Sequence, residues 1–255
     1  LKLTIYYLKY MMQRLYKLLP HLIVLILFVI IALAYFSPVL QGKKIFQSDI
    51  VQYTGMAKQQ IDFREAHAAE SYWTNSAFGG MPTYQLGAKY PHNYIKQLDL
   101  ALRFLPRPAD YLFLYLLGFY ILLLVLKIDY KIAVLGALAF GFSTYLIIIL
   151  GVGHNAKAHA IAYMPLVLSG IILTFQKRYF LGFILTAVAS GLELVTNHPQ
   201  MTYYLGILII ILGLSYLFQA IKTKELQAFF KASVTLLVAA IFAFGMNASN
   251  LMATS

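Results

Sequence analysis

Seven stretches of this chain are apolar almost without interruption, and the polar residues fall between them. The runs lie near 18–40, 110–127, 132–150, 160–176, 179–197, 201–221 and 232–248. Each is about as long as a helix needs to cross a hydrocarbon core, roughly 17–25 residues. The first contains Ala32-Leu33-Ala34, the form of a signal-peptidase site. Its apolar stretch runs on to Leu40, longer than the core of a cleaved signal, which predicts an uncleaved anchor. Ahead of it, residues 1–17 mix Lys2, Lys9, Arg14 and Lys17 with apolar positions, as does a helix lying on a membrane surface. The one long polar interval is 41–109. Within it "SDIVQYTGMAKQQIDFREAHAAE" reads as an amphipathic helix with Ser48 or Asp49 as its N-cap.

Composition supports the membrane reading. Residues are 61% hydrophobic and 11% charged, against about 45–50% and about 25% in soluble domains. The chain has no cysteine, which excludes disulfides, thiolate metal sites and a cysteine nucleophile. A net charge of +11 would suit nucleic acid, but the basic residues sit mostly between apolar runs, as topology signals do. Nucleic acid is therefore not an expected partner; membrane lipids are. Lys127, Lys131, Lys177, Arg178, Lys222, Lys224 and Lys231 share a side with the N-terminal bases, while the short loops opposite carry only Lys157. By the positive-inside rule the N-terminus is cytoplasmic and 41–109 is extracytoplasmic. The fold class expected is all-α, a polytopic transmembrane helical protein with about seven spans and short surface helices in its first outer loop. No Gly-rich phosphate loop occurs on the cytoplasmic side, and the polar chemistry gathers on the other.

Four stretches carry that chemistry. In "FQSDIVQY" one acid, Asp49, stands beside Gln52 and Tyr53 where the chain leaves the first span; helix capping and general-base chemistry are both open to it. "GVGHNAKAHA" sets His154, Asn155, Lys157 and His159 on a Gly-rich turn. Such a turn suits a phosphate, though two histidines could also begin a metal site, and any re-entry loop needs polar residues. "GLELVTNHPQMTYY" places Glu193 within an apolar run, with Asn197 four residues on, on the same helical face, and His198 and Gln200 at the turn. Intramembrane acids face a cavity or a packing partner. "SYWTNSAFGGMPTYQ" holds Trp73 and Tyr84 around a Gly79-Gly80 hinge, aromatics that serve as interfacial anchors or line a path for sugar or lipid.

Taken in order, "SDIVQY", "YWTNSAFGGMPTYQ", "GHNAKAHAIAYMPLVLSG" and "TNHPQMTYY" resemble the bacterial YfhO-like membrane protein family, from about residue 18 to the end. The resemblance implies a glycosyltransferase of GT-C architecture in the cytoplasmic membrane. It also implies a polyprenyl-phosphate-linked sugar donor, and an envelope polymer or lipid acceptor on the outer side. Asp49 occupies the position of that architecture's acid after the first span and is the expected catalytic base. Lys157, helped by His154 or His159, would neutralise the departing phosphate. Glu193, Asn197 and His198 would hold sugar or acceptor, with Trp73 and Tyr84 along the groove. Asp49, Lys157, His159, Glu193 and His198 are thus expected around one outward-opening cavity. No cofactor is implied, and a divalent metal is the less favoured option. Family members are longer, so the chain is expected to match their N-terminal portion. A transporter or flippase, and a non-catalytic envelope assembly protein, are the rival classes. A cysteine placed at Lys58 or Gln97 of this cysteine-free chain is expected to react with an impermeant reagent from outside. Reaction only after the inner face is opened would reverse the topology.

Overall fold

The structure is a computed structural model that describes residues 2–84, 86–90 and 92–253; the side chains of 2–11 and 13–15, among them Lys2, Lys9 and Arg14, lie outside the described residues. The protein is almost wholly helical. α1 (Lys2–Tyr35) leads through a 3-10 turn (Ser37–Gln41) to α2 (Ser48–His67), a two-stranded hairpin of β1 (Trp73–Thr74) and β2 (Met81–Pro82), and α3 (Tyr94–Leu102). An apolar series follows: α4 (Ala109–Val125), α5 (Tyr130–Gly141), α6 (Thr144–Val152), α7 (Asn155–Phe175), α8 (Tyr179–Leu194), α9 (Pro199–Thr223), α10 (Leu226–Met246) and the short α11 (Ala248–Ala253). Each apolar run of the sequence corresponds to one of these helices, with one correction. The run 132–150 is broken between Gly141 and Thr144, and its halves, α5 and α6, bend by 46°. The expected surface helix at the N-terminus is likewise continuous with the first apolar helix.

Among the described residues four helices are long and apolar enough to cross a membrane, or five if the bent pair is one span. They are Tyr16–Tyr35 of α1, α7, α9 and α10, while α4 and α8 have 17 and 16 residues. This is a membrane protein, and the distribution of burial shows how it meets its solvent. α7 is the central helix, 72% of its apolar window being buried, whereas those of α9 and α10 are 11% and 17% buried. Ile210, Leu214 and Phe218 of α9 and Leu237 and Ile241 of α10 point outward. In water such a face would be an aggregation hazard; in lipid it is the ordinary surface of a span.

Without a hydrophobic drive between spans, helices pack best where small residues let backbones approach. α7 and α8 meet in this way. A Cβ on Gly170 would lie 2.5 Å from the Thr186 nitrogen, and one on Gly182 would lie 2.7 Å from the Thr174 nitrogen. Around α7 the core is closed by Leu112, Tyr115 and Leu116 of α4 with Leu150 of α6. At one end of the bundle Gln176 donates to the Val125 carbonyl (3.0 Å), and Lys177 pairs with Glu225 (2.8 Å). The α4–α5, α7–α8 and α9–α10 turns, which carry the clustered lysines, therefore share that end. The opposite end carries α2, the hairpin and α3. Replacing Gly170 by Leu is expected to lower stability by about 1–3 kcal/mol through overpacking, read as thermal unfolding in detergent. An unchanged transition would show that α7 and α8 are not held at this distance.

Candidate functional site

Gln47 fixes the entry to α2. Its amide Nε2 donates to the Leu150 carbonyl (2.6 Å), and Asn155 Nδ2 donates to Gln47 Oε1 (3.3 Å). Gly153, at φ +95, makes this contact possible, since a Cβ there would come within 2.8 Å of Gln47 Cβ. The turn between α6 and α7 thus grips the start of α2 and brings His154 Nε2 to 3.2 Å from Asp49 Oδ2. Gln47, with extended backbone, holds the N-cap position without a side-chain cap bond, so neither Ser48 nor Asp49 caps the helix. Asp49 lies in the first turn, about half exposed, where the positive end of the helix dipole favours a carboxylate.

Behind α2 lies a charge cluster that sequence reasoning did not find. The Asp99 side chain of α3 is wholly buried. Its oxygens accept from Lys96 Nζ (2.9 Å), Arg103 Nη2 (3.0 Å) and the Tyr163 hydroxyl (3.0 Å), and His159 Nε2 lies 2.5 Å away. Burial pushes the Asp99 carboxyl up, but the contact and charge of His159, with Lys96 and Arg103, outweigh it and hold the carboxyl well below its ordinary range. Burial pulls the Arg103 guanidinium down, while its bonds and charge pairing with Asp99 raise it above its usual value. Arg103 also reaches Asp110 at the start of α4 (3.5 Å), with Arg107 at 3.9 Å from the same oxygen. Both guanidinium groups lie over the Tyr111 ring, 5.7 and 5.5 Å from its centre. The signal in the sequence was "DLALRFLPRPAD": an acid and a base four apart at the end of α3, then Arg107 and Asp110 three apart across the start of α4.

The cluster floors a cavity of about 750 Å³. Tyr53 of α2, Tyr84, Lys89, Lys96, Arg103 and Arg107 form its working surface, and Asn197 closes the far side. Four cations line it, and the two buried carboxylates behind them, Asp99 and Asp110, leave two positive charges in excess. A second cavity of about 410 Å³ holds Lys43, Lys44, Gln47 and Asn155, and Arg107 lines both. The arrangement suits an anion with hydroxyl groups, since guanidinium and ammonium donors bind phosphate oxygens strongly and tyrosines offer rings and hydroxyls.

The expected residues fall into several places. Tyr53, Tyr84 and Asn197 line the large cavity, and Asn155 lines the smaller one. Asp49 and His154 pair beside them. Lys157 is half-buried on α7, and burial together with the charges of Lys157 and His154 pushes the His198 ring below its ordinary value. His198 is also the N-cap of α9, its Nδ1 accepting from the Met201 amide (3.3 Å). His159 is sealed beneath Asp99. Glu193 is buried between α8 and α9, where it accepts from the Thr202 hydroxyl (3.0 Å). Of the five residues expected around one outward-opening cavity, Asp49, Lys157, His159, Glu193 and His198, none is among those that line the large cavity or the smaller one. Asn197 does not share a helical face with Glu193, because α8 ends at Leu194 and Asn197 is left-handed at φ 56. Trp73 packs on Gly80 in the hairpin and donates from Nε1 to Asn75 (2.9 Å), away from the cavity lining. Gln52 is exposed, and Gln200 donates to the Tyr204 hydroxyl (2.9 Å). Among the described residues no three His, Asp or Glu side chains gather as a metal site.

What fold and site define together is a polytopic α-helical membrane protein with a basic cavity at one end. No family model, no curated protein and no solved structure matches the chain.

Removing the charge at the centre tests the cluster. Asp99→Asn is expected to cost about 3–5 kcal/mol near neutral pH, since it leaves buried cations without their partner. A carboxyl held low stabilises the fold fully above its unfolded value, and that stability is lost as pH falls through the folded one. The gap between wild type and variant should therefore stay constant down to about 3.8, the ordinary Asp value, and shrink only below it. Denaturation in detergent across that range reads both effects, and a gap already closing above that value would mean Asp99 is not held ionised.

Proposed function

We propose that this protein is a membrane glycosyltransferase of GT-C type, in the YfhO-like family, moving a sugar from a polyprenyl-phosphate donor to an extracytoplasmic acceptor. The observation that carries the reading is the basic cavity at one end of an apolar bundle, with Tyr53 and Tyr84 in its wall. A lipid-phosphate donor needs this combination: lipid-facing helices for its tail and cations at membrane depth for its phosphate. With α4 and α8 counted as spans and the bent pair as one, the chain crosses a bacterial cytoplasmic membrane seven times. The N-terminus is inside and the cavity outside, in keeping with the lysines gathered at the other end.

In this reading Asp49, one helical turn before Tyr53, takes the proton of an acceptor hydroxyl as that oxygen attacks the anomeric carbon. The bond from that carbon to the phosphate oxygen breaks, and the lipid phosphate leaves with the electron pair. Lys89, Lys96 and Arg107 stabilise it, a role the sealed His159 does not share; Lys157 and His154 act from the α7 side. His154, 3.2 Å from the carboxylate, holds Asp49 in place.

Transport or flipping of a lipid-linked glycan is the second reading. The break between α5 and α6, bent by 46°, favours it, because interrupted helices mark transporter sites. One variant separates the classes. Asp49→Asn keeps the size of the side chain and removes its charge. In cells making the variant protein, normal membrane insertion with glycan transfer reduced roughly a hundredfold or more is expected, and a chelator should leave the wild type active. Full envelope modification by a well-inserted variant would remove the base, leaving transport or a non-catalytic assembly role.

A further inference from the structure

The end of the bundle opposite the basic cavity carries a groove of about 460 Å³ between α4, α7 and α8. Its walls are apolar, formed by Leu124 of α4, Leu173 of α7, and Leu181 and Ile184 of α8. At its mouth stand two cations, Lys127 after α4 and Arg178 before α8. Two neighbours at this end have partners of their own: Lys177 pairs with Glu225 at 2.8 Å, and Lys231 lies over the Tyr179 ring at 4.5 Å. Among the described residues neither Lys127 nor Arg178 makes an ion pair; Lys222 and Lys224 at the same end make none either, but only Lys127 and Arg178 line the groove. The bond from Gln176 to the Val125 carbonyl ties the two turns together and fixes the spacing of these cations.

The geometry points to a binding site for an anionic phospholipid, one acyl chain against the Leu124, Leu181 and Ile184 wall and the phosphate between Lys127 and Arg178. Walls of Leu and Ile beside spans exclude water and accept an alkyl chain, and their position at the helix ends puts the cations at headgroup depth. Basic residues at the ends of spans attract acidic headgroups for this electrostatic reason. A lipid held here would brace α4 against α8, with no part in chemistry at the other end.

The purified protein in detergent, titrated with phosphatidylglycerol or with phosphatidylcholine of the same acyl chains and read by native mass spectrometry, tests the site. Phosphatidylglycerol is expected to bind the wild type about tenfold or more tightly than phosphatidylcholine. Lys127→Gln with Arg178→Gln should weaken it by about thirtyfold, as two headgroup contacts are lost. Lys222→Gln with Lys224→Gln, which removes equal charge from the same end but not from the groove, should leave it bound. Ile184→Trp, which fills the groove and touches neither cation, should also release the lipid. Equal binding of the two lipids by the wild type would overturn the proposal. So would equal loss in the two double variants, undiminished binding by Ile184→Trp, or displacement of the lipid by millimolar inorganic phosphate alone. The wild-type comparison and Ile184→Trp decide the matter even if the charge variants fold poorly.

Discussion

A carboxylate taken wholly out of water must find its compensation inside the protein, and Asp99 is where this fold meets that demand. Desolvating an ion costs several kcal/mol, repaid only when opposite charges and donors surround it. Lys96 and Arg103 supply charge from the same stretch of chain, while Tyr163 and His159 come from α7. The surface helix α3 is thereby bolted to the central helix of the bundle. Through Arg103 the same network reaches Asp110 and so positions the start of α4. The floor of the basic cavity is thereby tied to the core of the bundle.

A second set of contacts fixes the other wall. Gln47 and Asn155 exchange hydrogen bonds across the turn that Gly153 permits, and Asp49 meets His154 as a result. The two networks differ in kind. Asp99 is wholly buried among its partners, which suits a structural role, whereas the Asp49–His154 pair is half exposed. Arg107, about half exposed and lining both cavities, stands where the two meet.

Polarity divides the molecule along its axis. One end holds the cavities, the middle presents Ile210, Phe218, Leu237 and their neighbours to lipid, and the far end holds clustered lysines. The proposed lipid groove and the proposed site of transfer lie at opposite ends and share no residue. They have in common only the packing of α7 on α8 at Gly170 and Gly182 and of α4 on α7 at Gly118, where a Cβ would lie 2.7 Å from the Ala162 carbonyl oxygen.

Every apolar helix was legible in the sequence, because crossing a hydrocarbon core imposes a length and a composition that survive any packing arrangement. The helix starting at Ser48 and the gathering of polar motifs at one end could be read as well, since composition and the bias of lysines are properties of neighbouring residues, although the cap expected at Ser48 or Asp49 is not formed. The break between α5 and α6 was not legible, since "FGFSTY" carries no proline and the bend depends on what the two halves pack against. Nor was the fate of the histidines and acids. His154 and His159 are five residues apart, yet one faces Asp49 and the other is sealed against Asp99, because α7 turns one outward and the other into the core. Glu193 and Asn197 looked like helical neighbours until the end of α8 at Leu194 separated them. Sequence alone determined which segments form apolar helices and which residue types gather at each end. Only the tertiary structure decided which acid is buried, which is exposed and which cations share a cavity, because those outcomes depend on distances between segments fifty to a hundred residues apart, set by how the helices pack.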